Sequence, residues 1–337
     1  MSNPILSIVI IGRNDNYGGD FKNRLQRAVS YLHEQLTEQK ISSELIFVNY
    51  NPLPQPPIKE FIQWPKSNEF VELSIIHVSA DVHARVVKQY HVKDIAVLEF
   101  IAKNIGIRRA KGEFIISTNA DILFDKELFS RFNNLDKNKF YRANRYDFTS
   151  TENAINTAEI KNVTRIWLKG YYHDFTKTTN PELQLVIAKA ARLRYYADYY
   201  LKQLINPVIR KIWSTDYHKK AEMHYHCHCS GDFMLMHRNS WFALRGFWEK
   251  SYITLHVDGL LVIQAAALGL EEKIFEQPVY HQEHERRYDH SIDNNDYREE
   301  YLHFQNQAQQ MLKSRKAIIY NSEDWGLSNF DLPHEKI

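Results

Sequence analysis

Cysteine is nearly absent: Cys227 and Cys229 are the only two in 337 residues and stand one residue apart. A mutual disulfide between residues so close on an extended segment is not expected, which excludes a disulfide-stapled secreted domain. Net charge is nearly absent too. The 43 Lys and Arg stand against 41 Asp and Glu, a balance of +2, too small to argue for a nucleic-acid partner. No apolar stretch approaches the roughly 20 residues needed to span a bilayer. The apolar run at residues 5–11 lacks a basic flank and a small-residue cleavage site. It is therefore read as a strand rather than a signal peptide, and the expected location is cytoplasmic. There is no internal repeat and no low-complexity segment. No Walker-type Lys follows Gly18 and Gly19, so these glycines are expected to permit a turn rather than to cradle phosphate.

What is present is an ordinary globular composition, 44% hydrophobic and 25% charged, enough to bury the core of one large α/β domain or two small ones. Aromatic residues reach 13%, with 20 Tyr, 18 Phe and 6 Trp. That richness suits a protein that handles sugars, whose flat apolar faces pack on rings, and equally suits a Tyr-rich core and surface.

Continuous β-branched runs at 5–11, 43–50, 71–78 and 113–117 have the character of strands buried on both faces. Helical spacing separates them at 21–32 (Phe21, Leu25, Ala28, Val29, Leu32) and 95–110 (Ala96, Phe100, Ile101, Ile105). Strands alternating with helices argue for parallel pairing with right-handed crossovers. Ligands of such sheets bind beyond the carboxyl ends of the strands. The loop 12–20, the segment Asn49-Tyr50-Asn51 and the segment Thr118-Asn119-Ala120-Asp121 all fall at such ends and are expected to meet at one edge. The region 151–222 is rich in Tyr, Lys and Arg and reads as helical, with Pro207 expected to kink or end the helix over 186–212. Its apolar and basic residues make that helix a surface element or lid, or a peripheral contact with an anionic membrane. Further on, 233–236 reads as a strand, 238–246 as a helix and turn, 259–270 as a helix and 273–278 as a short strand. Beyond 301 a peripheral helix and strand are expected.

Three segments carry a resemblance. They are Ser7-Ile8-Val9-Ile10-Ile11-Gly12-Arg13-Asn14-Asp15; the stretch from Asn104-Ile105-Gly106 through Arg108-Arg109-Ala110-Lys111-Gly112-Glu113 to Ser117-Thr118-Asn119-Ala120-Asp121; and Ser230-Gly231-Asp232 followed by Trp241, Leu244, Gly246, Phe247 and Glu249. Together they resemble the GT-A-fold glycosyltransferases, in particular the family-2-like group, over roughly residues 5–125 and 226–285. The chain departs from the pattern where Asn119 replaces the first Asp of the usual Asp-x-Asp, and where Asn49 or Asn51 replaces the acidic residue that pairs with uracil. These departures leave the nucleobase open.

The resemblance implies an α/β fold with a mostly parallel, Rossmann-like central sheet flanked by helices and a helical insertion in the middle. It divides the chain into a nucleotide-sugar-binding half (1–150), the insertion (151–222), an acceptor-binding half (223–300) and a C-terminal extension (301–337). It implies a metal-dependent, inverting transfer of a hexose-type sugar from a nucleotide-diphosphate donor to a hydroxyl of a glycan, polysaccharide or lipid-linked acceptor. The expected cofactor is a divalent cation, Mn²⁺ or Mg²⁺. Asp121 is the expected metal ligand, joined by His281 or His284; Gly12, Arg13, Asn14, Asp15, Asn49, Asn104, Arg108 and Asn119 are expected on the donor, with Arg109 also near the diphosphate. His226, His228, Gly231 and Asp232 are expected on the acceptor or donor sugar, and Asp258 or Asp232 as the base that takes the acceptor's proton. On a strand His224, His226 and His228 would share one face and the two cysteines the other, so a tetrahedral zinc site is not expected there. A sugar-phosphate nucleotidyltransferase and a non-catalytic carbohydrate-binding relative are the alternatives.

Overall fold

The computed structural model describes residues 4–92, 94–149, 156–160, 162–175, 180–213, 220–249, 256–285 and 294–337, with backbone alone at 181, 206–213 and 294–297. Its first part follows the alternation seen in the sequence. Strands β1 (Leu6–Gly12), β2 (Ser43–Tyr50), β3 (Val71–Val78) and β4 (Phe114–Thr118) are joined through helices α1 (Phe21–Glu38), α2 (Ile58–Phe61), α3 (Ala80–Tyr90) and α4 (Glu99–Arg109). They pair in parallel in the order β3-β2-β1-β4. The apolar run in β1 is continuous because the sheet is covered on both sides. Leu6, Ile8 and Ile10 face the core beneath α1, while Val9 and Ile11 face the core formed with α3 and α4. Gly106 lets α4 settle onto that sheet, since a Cβ there would lie 2.4 Å from the Val9 side chain.

After Thr118 the regular strand–helix alternation stops, and most of the pairing becomes antiparallel. Strands β5 (Ile122–Phe124), β6 (Lys139–Phe148), β7 (Val163–Leu168) and β8 (Tyr171–Asp174) follow one another, and strands without a crossover helix pair antiparallel. The long helix α5 (Pro181–Trp213), strand β9 (Phe233–His237), helices α6 (Arg238–Leu244) and α7 (Val257–Ala267), strand β10 (Glu271–Gln282), helix α8 (Asn294–Ser314) and strand β11 (His334–Lys336) complete the chain. The sheet order is β11-β3-β2-β1-β4-β9-β6-β10-β5, with β7 and β8 added beside β6. Four of the ten pairings among the described residues are parallel and six antiparallel. The sheet is therefore mixed, a correction to the mostly parallel sheet expected from the alternation before residue 118.

The region 151–222 also differs from expectation. It is not wholly helical, because 163–174 form the β7–β8 hairpin; the expected boundary at 150–151 falls outside the described residues. Pro207 does not end α5, whose backbone continues to Trp213. Residues 224–232 form turns rather than a strand, so the alternating-face argument for the His and Cys residues there does not apply. His281 and Gln282 belong to a longer strand than the one expected at 273–278.

The arrangement at β6 positions the site. β10 pairs along one edge of β6 from Lys139 to Phe148. The other edge is shared: its start meets β9 (Phe140↔Met236, Tyr141↔Leu235) and its end meets β7 (Arg145↔Trp167, Tyr146↔Ile166). The sheet divides there, just after Asp232 and beside the turn following β4.

Candidate functional site

Asp121 ends the turn after β4, at the carboxyl edge of the parallel strands. Strand β5 follows at once and pairs antiparallel with β10, His281 opposite Ile122, while the Gln282 amide donates to the Asp121 carbonyl at 3.0 Å. This pairing across 160 positions of sequence brings His281 against Asp121, and the chain leaving β10 brings His284. His284 Nε2 lies 3.2 Å and His281 Nε2 3.7 Å from Asp121 Oδ2. Ligand atoms of all three fall within 4.8 Å of one another. Around an ion with bonds of about 2.1 Å, neighbouring ligands stand ~3.0–3.5 Å apart; the His284–Asp121 separation lies in that range and the His281–Asp121 separation just above it, so the three residues could hold a divalent cation. It is the only such cluster of three or more among the described residues.

Burial pushes the Asp121 carboxyl upward, but His281, His284 and Arg24 outweigh it and hold the group well below the usual carboxylate range. Arg24 is buried in the first turn of α1 and donates to the carbonyls of Gly19 and of Tyr17, the latter at 2.7 Å. The loop after β1 is thereby pinned over the cluster. Gly18 touches His284 directly. Its φ is +63°, and a Cβ on it would stand 2.3 Å from His284 Nδ1; Gly18 thus serves both the turn and the cluster.

A second layer comes from β6. Asp147 Oδ1 lies 3.4 Å from His281 Nδ1, and Arg145 Nη2 lies 3.0 Å from the same nitrogen. Arg145 also donates to Asp147 and, through Nη1, to Asp232 Oδ2, both at 2.5 Å. Asp232 Oδ1 accepts from Asn119 Nδ2 at 2.7 Å. One continuous network therefore joins Asn119, Asp232, Arg145, Asp147, His281, Asp121 and His284. Burial works against the Asp147 carboxylate too, but His281 and Arg145 hold it well below the usual range. Arg145, Asp147 and Arg24 were not singled out in the sequence. The available signal was a strand carrying Arg145 and Asp147 two apart, hence on one face, with aromatic residues between and after them.

The remaining expected residues divide. Arg13, half-buried on the first loop, pairs with Asp15 at 3.7 Å, and its buried Nε has no hydrogen-bond partner. Asn14 is turned inward, where it donates to the Leu53 and Pro56 carbonyls and accepts from the Leu53 amide. Gly12 lies where a Cβ would meet the Phe21 and Phe47 rings at 2.9 Å. Asn49 is buried against His77, 3.3 Å away. Asn104 is fully buried and grips Phe247 N, Phe247 O and Glu249 Oε1. Gly12 and the side chains of Asn14, Asn49 and Asn104 hold the scaffold rather than face the cluster.

Arg108 packs over Phe242 and Trp325, and Arg109 donates to the carbonyls of Gly326, Leu327 and Phe330. Both sit in the last turn of α4, at the opposite edge of β4 from Asp121. Neither side chain is brought to the Asp121 cluster. Asp258 accepts from the Gly231 amide at 2.7 Å and from the Gly259 amide at 2.8 Å, and Lys103 Nζ donates to the Gly231 carbonyl. Asp258 is thus an anchor for the turn that carries Asp232. His228 stands 6.0 Å from the Trp167 ring. His226 is fully buried with neither ring nitrogen bonded, and burial, then Arg142, push its pKa well below the ordinary value.

No protein-family model matches the chain, and no curated protein matches it by sequence. Among solved structures, one described as the crystal structure of GalNAc-T7 with UDP, GalNAc and Mn²⁺ superposes with a TM-score of 0.49 at 10% identity. The match covers 96% of this chain and 53% of that one, so this chain spans about half its length. A superposition of that quality leaves the fold class to the chain's own topology.

Proposed function

We propose that this chain is a GT-A-type glycosyltransferase that moves a sugar from a nucleotide-diphosphate donor to a hydroxyl of a glycan or lipid-linked acceptor. The supporting observation is the Asp121–His281–His284 cluster at the carboxyl edge of the parallel strands, under the loop that follows β1. A bound divalent cation would neutralise the charge that develops on the departing diphosphate without a proton transfer. Two imidazoles beside one carboxylate suit Mn²⁺ better than Mg²⁺.

The surrounding residues have separable tasks. His281 Nδ1 faces both the Asp147 carboxylate and the Arg145 guanidinium, which can only donate. With a cation on Nε2, Nδ1 would carry the proton and donate toward Asp147, the arrangement that commonly orients a ligating histidine, and the Arg145 contact to that nitrogen would give way. Arg13 reaches toward the diphosphate from the first loop, whose path Asn14 and Arg24 fix. Asn119 and Asp232 meet the donor sugar. Asp232 takes the acceptor's proton as the new C1–O bond forms and the C1–O bond to phosphate breaks, its electron pair leaving with the nucleoside diphosphate; one base acting this way inverts the anomeric centre. We assign the base to Asp232 rather than Asp258 because Asp232 shares Arg145 with the metal cluster, whereas Asp258 holds Gly231.

The outer face of α5 fits a peripheral contact with an anionic bilayer. Leu183, Val186, Leu193, Leu201 and Leu204 are exposed there, with Lys189 and Arg194 exposed among them. No helix among the described residues is long and apolar enough to cross a membrane.

Calorimetric titration with Mn²⁺ tests the cluster. Asp121→Ala is expected to weaken binding at least a hundredfold while the fold persists; wild-type affinity in that variant would put the cation elsewhere.

A further inference from the structure

We propose that Trp167 and Tyr172, stacked on the open face of the β7–β8 hairpin, form a subsite for a neutral sugar ring of the acceptor; this rests on the transferase reading above. The hairpin is a partition. Ile166 and Leu168 pack on one of its sides with Ala188 of α5, and Tyr171 meets Tyr195 of α5 with ring centroids 5.6 Å apart. Side chains alternate along a strand, so Arg165, Trp167, Tyr172 and Asp174 occupy the other side. Cross-strand pairing arranges them in two rows: Arg145–Trp167–Tyr172, and His281–Asp147–Arg165–Asp174. The second row begins at a metal ligand.

Trp167 and Tyr172 lie 4.7 Å apart with planes inclined by 26°. Trp167 Nε1 donates to Asp147 Oδ2 at 3.1 Å, and Asp147 in turn lies against His281. The indole is thus one residue removed from the cluster, and its orientation is fixed by the same carboxylate. Tyr172 is 50% exposed, although its neighbour Tyr171 faces α5. Strand spacing of about 4.8 Å puts β7 and β8 roughly 10 and 14 Å from β10. That separation suits a ring further along an acceptor chain rather than the reacting ring. Aromatic faces bind the apolar faces of sugars, and the local charges say which sugars. Arg145 is paired with Asp147 and Asp232, Arg165 with Asp147 and Asp174, and Lys169 with Glu272. Each of these three cations already has a carboxylate, so the site favours a neutral ring over a uronate.

The test is calorimetric titration of the full chain with maltotetraose, cellotetraose, tetra-N-acetylchitotetraose and tetragalacturonate, using wild type, Tyr172→Ala and Tyr172→Phe. At least one neutral glycan is expected to bind wild type more tightly than tetragalacturonate does. Tyr172→Ala should weaken it about tenfold or more, and Tyr172→Phe, which keeps the ring, less than threefold. The Mn²⁺-induced thermal shift serves as the control for an intact fold. The proposal is overturned if no neutral glycan binds wild type, if Tyr172→Ala binds as tightly as wild type, or if the uronate is preferred. If nucleotide and Mn²⁺ leave wild type unaffected while Tyr172-dependent glycan binding persists, the donor reading fails and the platform stands.

Discussion

At the scale of single residues, the cluster depends on neighbours that carry no ligand atom. Gly18 is the clearest case. Gly18→Ala places a methyl where His284 Nδ1 stands and adds a side chain at positive φ, a conformation that costs an L-residue about 1–2 kcal/mol. Because supporting contacts typically change metal affinity 10–100-fold, Mn²⁺ titration of this variant should show a loss in that range; unchanged affinity would mean that His284 is not a ligand. Glu249 bears on stability instead. Burial drives its carboxyl up to about 7, opposed by donation from Asn104 and the Gly326 amide. Between the usual glutamate range and about pH 7, the folded chain keeps a proton that the unfolded chain has lost. Stability therefore falls as pH rises through that window and levels off above it, by on the order of 3 kcal/mol. Glu249→Gln should remove this slope, with the largest gain in melting temperature at pH 8 and little at pH 5.

Legibility at this scale followed locality. Asp121 was readable because a buried strand, a polar turn and an acidic residue are adjacent in sequence. Asn104 and Gly106 belonged to a readable motif, yet their work is architectural: Asn104 clamps residues 247–249 and Gly106 lets α4 approach β1. Arg145 and Asp147 were missed because the side chains that make them meaningful, Asp232 and His281, come from segments 87 and 134 positions onward.

At the scale of elements, the long helix was readable and the hairpin before it was not. Residues 163–174 alternate between the α5 side and the site side, so no continuous apolar run marks them, and Tyr and Arg dominated the composition of the region. α5 spans 33 residues, about 50 Å. Its outer face includes Leu193 at 73% and Leu204 at 77% exposure, whereas exposed apolar surface on this scale ordinarily marks an interface. Co-sedimentation with phosphatidylcholine–phosphatidylserine vesicles should capture the wild-type chain and lose it on Leu193→Asp/Leu204→Asp. Absence of binding to anionic vesicles, together with a concentration-dependent dimer that the same substitutions abolish, would assign the face to a second copy instead.

At the scale of the whole molecule, the parallel half was legible because each strand is buried on both faces and separated by a helix. The antiparallel half was not, since its order is set by contacts between distant segments: β9 enters between β4 and β6, and β10 carries His281 back to Asp121. Joining the halves puts one carboxylate and two imidazoles at the strand edge where the first loop closes, and the transferase reading rests on that junction. Its most direct test is thermal unfolding of the wild-type chain against a panel of nucleotide-diphosphate sugars, with and without Mn²⁺. Binding to the native state alone stabilises by about 2.7 kcal/mol at a hundredfold excess over Kd. The expected result is a rise in melting temperature for at least one donor that requires Mn²⁺ and disappears in Asp121→Ala. No shift from any nucleotide sugar, or a shift indifferent to both the metal and Asp121, would contradict the account.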